Sequence, residues 1–178
     1  YSKFTNIISP VTNSDNGYIK NILLLRKYYL INKTTYSAQS TLGNVFSLQN
    51  TNIDNDNKFS LGGRWLRGFD SLGAGPRKSR SAYIGGNNIF VTKFDLSRPL
   101  FSNQSDNPID INLFTDVGSV FGNKDVPEFS KETIRASYGV GFKFYTPIGP
   151  IGLSWSFPLK SETYDIKRSF LFSIGDLN

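Results

Sequence analysis

The chain has 178 residues, with 20 Lys and Arg against 14 Asp and Glu for a formal charge of +6, and it contains no cysteine, histidine or methionine. Those absences remove a disulfide framework, the Ser-His-Asp and Cys-His nucleophiles and the usual zinc sets, so no catalytic residues, metal or cofactor are expected and the chain does not read as an enzyme. The cations are scattered through turns and alternate strand positions, with no basic helix or stacking platform, which argues against nucleic acid as a partner.

Apolar runs such as residues 22–25 fall far short of the roughly 20 residues of a spanning helix, whereas a spanning β-strand needs only about 9–11 residues with one apolar face. Periodicity therefore decides the class. The chain begins without methionine, inside a polar run, and is expected to continue a longer protein whose signal peptide lies upstream.

In chain order, residues 1–8 look like a truncated strand and residues 18–30 like a strand whose facing is unclear. Residues 35–46 alternate Tyr36, Ala38, Leu42 and Phe46 with Ser37, Gln39, Thr41 and Gly43. The next stretch, about residues 48–83, has no sustained alternation and is far longer than an ordinary hairpin loop. Its Phe59, Leu61, Trp65, Leu66 and Phe69 give it enough apolar surface to pack onto something, and inside a wide barrel that something is the lumen wall.

Residues 88–98 put Phe90, Phe94 and Leu96 outward and Lys93 and Asp95 inward. Residues 110–121 put Ile111, Leu113 and Val117 outward and Asn112, Asp116 and Gly118 inward. Three further strands follow. Ile134, Ala136, Tyr138, Val140, Phe142 and Phe144 alternate with Arg135, Ser137, Gly139, Gly141, Lys143 and Tyr145; Ile151, Leu153, Trp155 and Phe157 alternate with Gly152, Ser154 and Ser156; and Phe170, Phe172 and Ile174 alternate with Ser173 and Gly175. Large apolar residues on one parity and small Gly or Ser with an occasional charge on the other fit lipid outside and a polar lumen inside. A tight turn at Pro147 against a long, charged connection at residues 121–133 fits a barrel with short turns at one end and long loops at the other. The fold class read here is all-β, about eight antiparallel strands of a transmembrane β-barrel.

At this point the sequence resembles a known family. Leu61-Gly62-Gly63-Arg64-Trp65-Leu66-Arg67-Gly68-Phe69, then Gly75-Pro76-Arg77 and Gly85-Gly86-Asn87, are similar to the sixth extracellular loop of the BamA-type outer-membrane assembly factors, whose Arg-Gly-Phe core is their most recognisable motif. The likeness continues in order through Phe114-Thr115-Asp116-Val117-Gly118, through Ile134-Arg135-Ala136-Ser137-Tyr138-Gly139-Val140-Gly141, through Pro147-Ile148-Gly149-Pro150 and through Phe170-Leu171-Phe172-Ser173-Ile174-Gly175. These blocks cover about residues 59–178. Residues 1–58 fit by strand layout.

The resemblance implies the C-terminal half of a sixteen-stranded barrel with a long inward-folded loop, preceded by periplasmic POTRA domains and seated in the outer membrane of a Gram-negative bacterium. It implies a protein that folds and inserts other barrels, with unfolded outer-membrane barrel proteins, accessory assembly lipoproteins and outer-membrane lipids as partners. Carried over residue by residue, Arg67 anchors the loop on the lumen acids Asp116 and Asp95, where related proteins often carry Glu in place of the latter. Gly68 turns the chain beside the arginine and Phe69 wedges the tip against the wall. Gly62 and Gly63 are either turn residues with positive φ or direct participants. Phe170, Phe172 and Gly175 resemble the C-terminal recognition signal of outer-membrane barrels, without the terminal aromatic that many carry. The rival readings are a TamA-like factor or a two-partner secretion pore of the same superfamily, a passive porin, and a soluble β-sandwich. Asp54 and Asp56 lack the glycine and distal glutamate of a calcium loop and read as solvated loop.

Overall fold

A computed structural model describes residues 2–9, 17–48, 52–79, 82–100, 109–124, 126–127, 130–147 and 149–174. In chain order the strands are β1 (Ser2–Ser9), β2 (Tyr18–Ile31), β3 (Thr34–Ser47), β4 (Gly68–Phe69), β5 (Asn88–Pro99), β6 (Ile109–Phe121), β7 (Arg135–Thr146), β8 (Gly149–Lys160), β9 (Lys167–Arg168) and β10 (Phe170–Ile174). Eight of them form one sheet in the order β1-β2-β3-β5-β6-β7-β8-β10, while β4 and β9 pair separately. Every pairing is antiparallel. Within the described residues the sheet is not closed, since β1 and β10 each have one neighbour. No helix among them is long and apolar enough to cross a membrane.

The connections sort by end. β2 turns into β3 through Asn32 and Lys33, both at positive φ (47° and 64°), the two-residue geometry whose twist matches a hairpin and which asparagine tolerates well. Pro147 and Gly149 mark the short connection from β7 to β8 at the same end. At the other end residues 48–87 link β3 to β5 and residues 122–134 link β6 to β7.

Register settles the facing of β2. Tyr18, Lys20, Ile22, Leu24 and Arg26 lie opposite Ser47, Val45, Gly43, Thr41 and Gln39 of β3, so they share the inner face with them. On the outer face Leu42, Phe46, Phe94, Leu113, Tyr138, Trp155, Phe157, Phe170 and Phe172 are all exposed. Such a continuous apolar surface is far more than a water-soluble monomer leaves uncovered, and lipid is what covers it in a barrel wall. Its aromatics also touch along the wall, with Phe142 edge-on to Trp155 at 6.3 Å between ring centres and Trp155 tilted on Phe170 at 5.2 Å.

The packed core lies on the inner face towards the long-loop end. Ile53, Phe59, Leu61, Leu66, Phe69 and Ala74 of the loop pack against Val45, Ile89, Val91 and Val120 of the wall, with Tyr18 and Ile22 beside them. Each fully buried large side chain here contributes about 1.5–3 kcal/mol. The described residues of this loop, 52–79 and 82–87, are therefore a folded plug on the wall, and a short 3₁₀ turn at Asn55–Asn57 is their one helical element.

Candidate functional site

Where the packed core ends, the Arg67 side chain lies against the inner wall. Its Nε donates to Asp116 Oδ2 at 2.7 Å and its Nη2 to Asp116 Oδ1 at 2.5 Å, so one carboxylate is gripped by two prongs. Nη1 and Nη2 reach Asp95 Oδ1 and Oδ2 at 2.8 and 3.2 Å. The backbone N–H of Arg67 adds a further bond to Asp116 Oδ2 at 3.0 Å. The planar fork of a guanidinium suits two carboxylates presented by neighbouring strands, a geometry that a point-charge ammonium cannot reproduce.

The strand register creates that presentation. Lys93 of β5 lies opposite Asp116 of β6, and Asp95 opposite Phe114, so the two acids sit one inward step apart on adjacent strands. Asp116 is fully buried and Asp95 largely so. Burial by itself pulls the Arg67 guanidinium towards losing its proton, but Asp116 and Asp95 outweigh it and hold its pKa above the ordinary arginine value.

Three further residues complete the site. The guanidinium carbon of Arg67 lies 3.6 Å from the ring centre of Phe114, so the cation is stacked on a face as well as bonded at its edge. Ser137 of β7 donates its hydroxyl to the Arg67 carbonyl. Asn112 Nδ2 donates to Asp95 Oδ1 at 3.3 Å and holds that acid in place. Sequence reasoning gives Phe114 no role. An aromatic on the otherwise polar inward parity, two residues from a lumen acid, was the signal for it.

Around the anchor, strand side chains also hold the loop backbone. Lys20 of β2 donates to Asn57 O at 3.0 Å with its ammonium 4.3 Å from the Phe59 ring centre, and Lys93 donates to Arg64 O. Below the anchor lies a cleft of about 300 Å³ that Arg26, Gln39, Lys93, Asp95, Asn112 and Lys143 line together with Leu153 and Leu171.

The glycines take up left-handed backbone. Gly62, Gly63 and Gly68 have φ of 119°, 57° and 93°. Gly63 N–H donates to Phe69 O at 2.9 Å, closing the turn that carries Arg67 at its far side. At Gly68 an added Cβ would lie 3.1 Å from Ser137 Cβ and 3.4 Å from Ser156 Cβ, so the small inward residues of β7 and β8 are what let the loop come this close. Gly68→Ala is expected to cost about 1–2 kcal/mol for the backbone alone. The check is the urea unfolding midpoint in detergent, and an unchanged midpoint would show that the left-handed turn is not maintained. Phe69 is buried in the loop core, and Trp65 is partly exposed.

A second buried charge cluster had no counterpart in the sequence reading. Arg135 of β7 donates from Nε and Nη2 to the Asp165 carboxylate at 3.2 and 3.3 Å, from Nη1 to the carbonyls of Lys131 and Thr133 at 2.9 and 2.6 Å, and from Nη2 to Tyr164 Oη at 3.0 Å. Both members of the ion pair are inaccessible to water.

Phe170 and Phe172 of β10 face outward, paired with Trp155 and Leu153 of β8. Gly175, Ile148 and Tyr1 lie outside the described residues.

Comparison with known proteins agrees with this architecture. A family model described as the Omp85 superfamily domain matches residues 1–177. The chain is 29% identical over 139 residues to the outer membrane protein assembly factor BamA of Neorickettsia risticii (strain Illinois), an alignment that covers 74% of this chain and 18% of that protein. It thus spans under a fifth of the length of that curated relative. Among solved structures it is similar to BamA from Haemophilus ducreyi lacking POTRA domains 1–3, with a TM-score of 0.77 at 24% identity over 91% of this chain and 35% of the other. That likeness is one of fold. On the family match the chain belongs to the Omp85 superfamily, and its eight-stranded sheet is part of the wall of an outer-membrane β-barrel.

Proposed function

We propose that this chain is the closing half of the barrel of an outer membrane protein assembly factor, which inserts other β-barrel proteins without covalent chemistry. The observation that carries the reading is the Arg67 fork on Asp95 and Asp116, which fixes a long loop onto the inner wall. A passive channel has no need of such a device. The buried network suits selection of one loop conformation better than it suits adding bulk stability.

In this reading β10 is one side of a seam. An unpaired strand edge in lipid costs several kcal/mol per unsatisfied backbone group, so an edge offered to an incoming strand lowers a real barrier to insertion. The partners are unfolded outer-membrane barrels, which pair with that edge, together with accessory assembly lipoproteins and the lipids of the outer membrane. POTRA domains and a signal peptide belong upstream of the barrel in the complete protein. Phe170 and Phe172 serve as the outward aromatics of its closing strand.

The test is reconstitution. The complete protein in liposomes, with its accessory lipoproteins, is expected to speed the folding of a urea-unfolded eight-stranded barrel relative to empty liposomes, read as the heat-modifiable band on a gel. No acceleration would sink the assembly reading. Delivery of a secreted passenger into the liposome interior instead would move the chain to the secretion-pore class.

A further inference from the structure

Above Ser169 the chain parts from β8. Among the described residues β10 pairs with β8 from Phe170 opposite Trp155 to Ile174 opposite Ile151, and Ser156 N–H to Ser169 O at 2.7 Å closes that ladder at its upper end. The residues just before it, Lys167 and Arg168, pair with Phe69 and Gly68 of the loop instead. Asp70 N–H donates to Ile166 O and Ile166 N–H to Gly73 O, both at 2.9 Å, and Arg168 Nη1 lies 3.2 Å from Asp70 Oδ1 in an exposed pair. On the wall side, Arg135 holds Asp165. The final connection is thus gripped between β7 and the loop.

β10 is described over Phe170–Ile174, and among the described residues β8 is its one neighbour in the sheet. Its upper end continues through a single residue, Ser169, into the ribbon with the loop. Gly68 in turn follows Arg67 with nothing between them. Any shift that lifts the Arg67 backbone off Asp116 and Ser137 therefore drags Gly68 and Phe69 against Arg168 and Lys167.

We infer that the β4–β9 ribbon is a mechanical coupling, in which seating of the loop on Asp95 and Asp116 holds the upper end of β10 against β8, and release of β10 loosens the loop in return. A coupling of this kind is reciprocal by thermodynamic necessity. The inference rests on the assembly reading only for the use made of the strand edge. Its test reads backbone protection and leaves assembly aside, so the two fail separately.

The experiment is hydrogen–deuterium exchange of the complete protein in nanodiscs of phosphatidylcholine and phosphatidylglycerol. Arg168→Pro removes a ribbon N–H and is expected to speed exchange in residues 66–74 by about tenfold or more, with β2 and β3 unchanged. Asp116→Ala is expected to do the same to residues 166–172 from the other side. Effects that stay within the mutated segment, or that run in one direction only, overturn the coupling. Should Asp116→Ala fail to fold, Arg67→Lys, which keeps the charge but loses the fork, supplies the loop-side perturbation.

Discussion

Arg67→Ala and Asp116→Ala in the complete protein are each expected to cripple assembly of other barrels. Asp116→Ala leaves a guanidinium buried over Phe114 with Asp95 as its one remaining carboxylate among the described residues, and breaking a buried pair in this way typically costs about 3–5 kcal/mol. That is a shift on the order of a hundredfold or more in the equilibrium between the seated and the lifted loop. Arg67→Lys should fail as well, because an ammonium cannot hold two carboxylates in one plane. The double replacement of Arg67 and Asp116 should be no worse than the worse single one, since the two act in one network. Growth of a depletion strain and the yield of heat-modifiable barrels measure all four. Normal growth with both single variants would remove the anchor from the mechanism.

The second large effect is expected at the other buried pair. Asp165→Ala strips Arg135 of its one carboxylate partner among the described residues and leaves the charge facing carbonyls and the Tyr164 hydroxyl. The cost should again be about 3–5 kcal/mol, because neither side chain reaches water. Asp165 Oδ2 also accepts the Glu162 N–H at 2.7 Å, so the turn leading to β9 loosens at the same time. The variant should lose its folded gel band at a lower temperature than the parent and be cut faster by protease within residues 161–169. An unaltered melting temperature would show that the pair contributes nothing net.

Much of this architecture was legible in the sequence, for a definite reason. β3, β5, β6, β7 and β8 alternate lipid-facing bulk with small or polar lumen residues, and that contrast carries the parity of Asp95 and Asp116 without any structure. β2 was opaque because its inner residues Tyr18, Ile22 and Leu24 lie on the loop-bearing face and are as apolar as its outer ones. The period-two signal cancels when both faces are dry. The β4–β9 ribbon was invisible because two residues cannot display a period, and its partners lie about a hundred positions apart in the chain. Arg135 read as one more polar residue of the lumen lining. Only its distant partner Asp165 makes it an ion pair, and proximity between a strand end and a loop thirty residues on leaves no local trace.

Gly139 shows how far such reasoning reaches. Its parity said lumen, but its size is explained by two neighbours, the Trp155 backbone carbonyl of β8 and the Phe114 ring tip, which would lie 2.5 Å from an added Cβ. The glycine on β7 makes room for the aromatic on β6 on which Arg67 stacks.

The wall of this lumen is layered. On the long-loop side of Arg67 it is packed with Phe59, Leu61, Leu66 and Phe69; on the short-turn side it is a polar cleft. To an ion travelling along the described strands, charged side chains are on offer as far as the arginine, and beyond it lies a packed apolar layer in which an unpaired charge is costly to bury. Along the described part of this wall the seated loop therefore replaces water with packed side chains, and lifting it would lower the barrier to an ion.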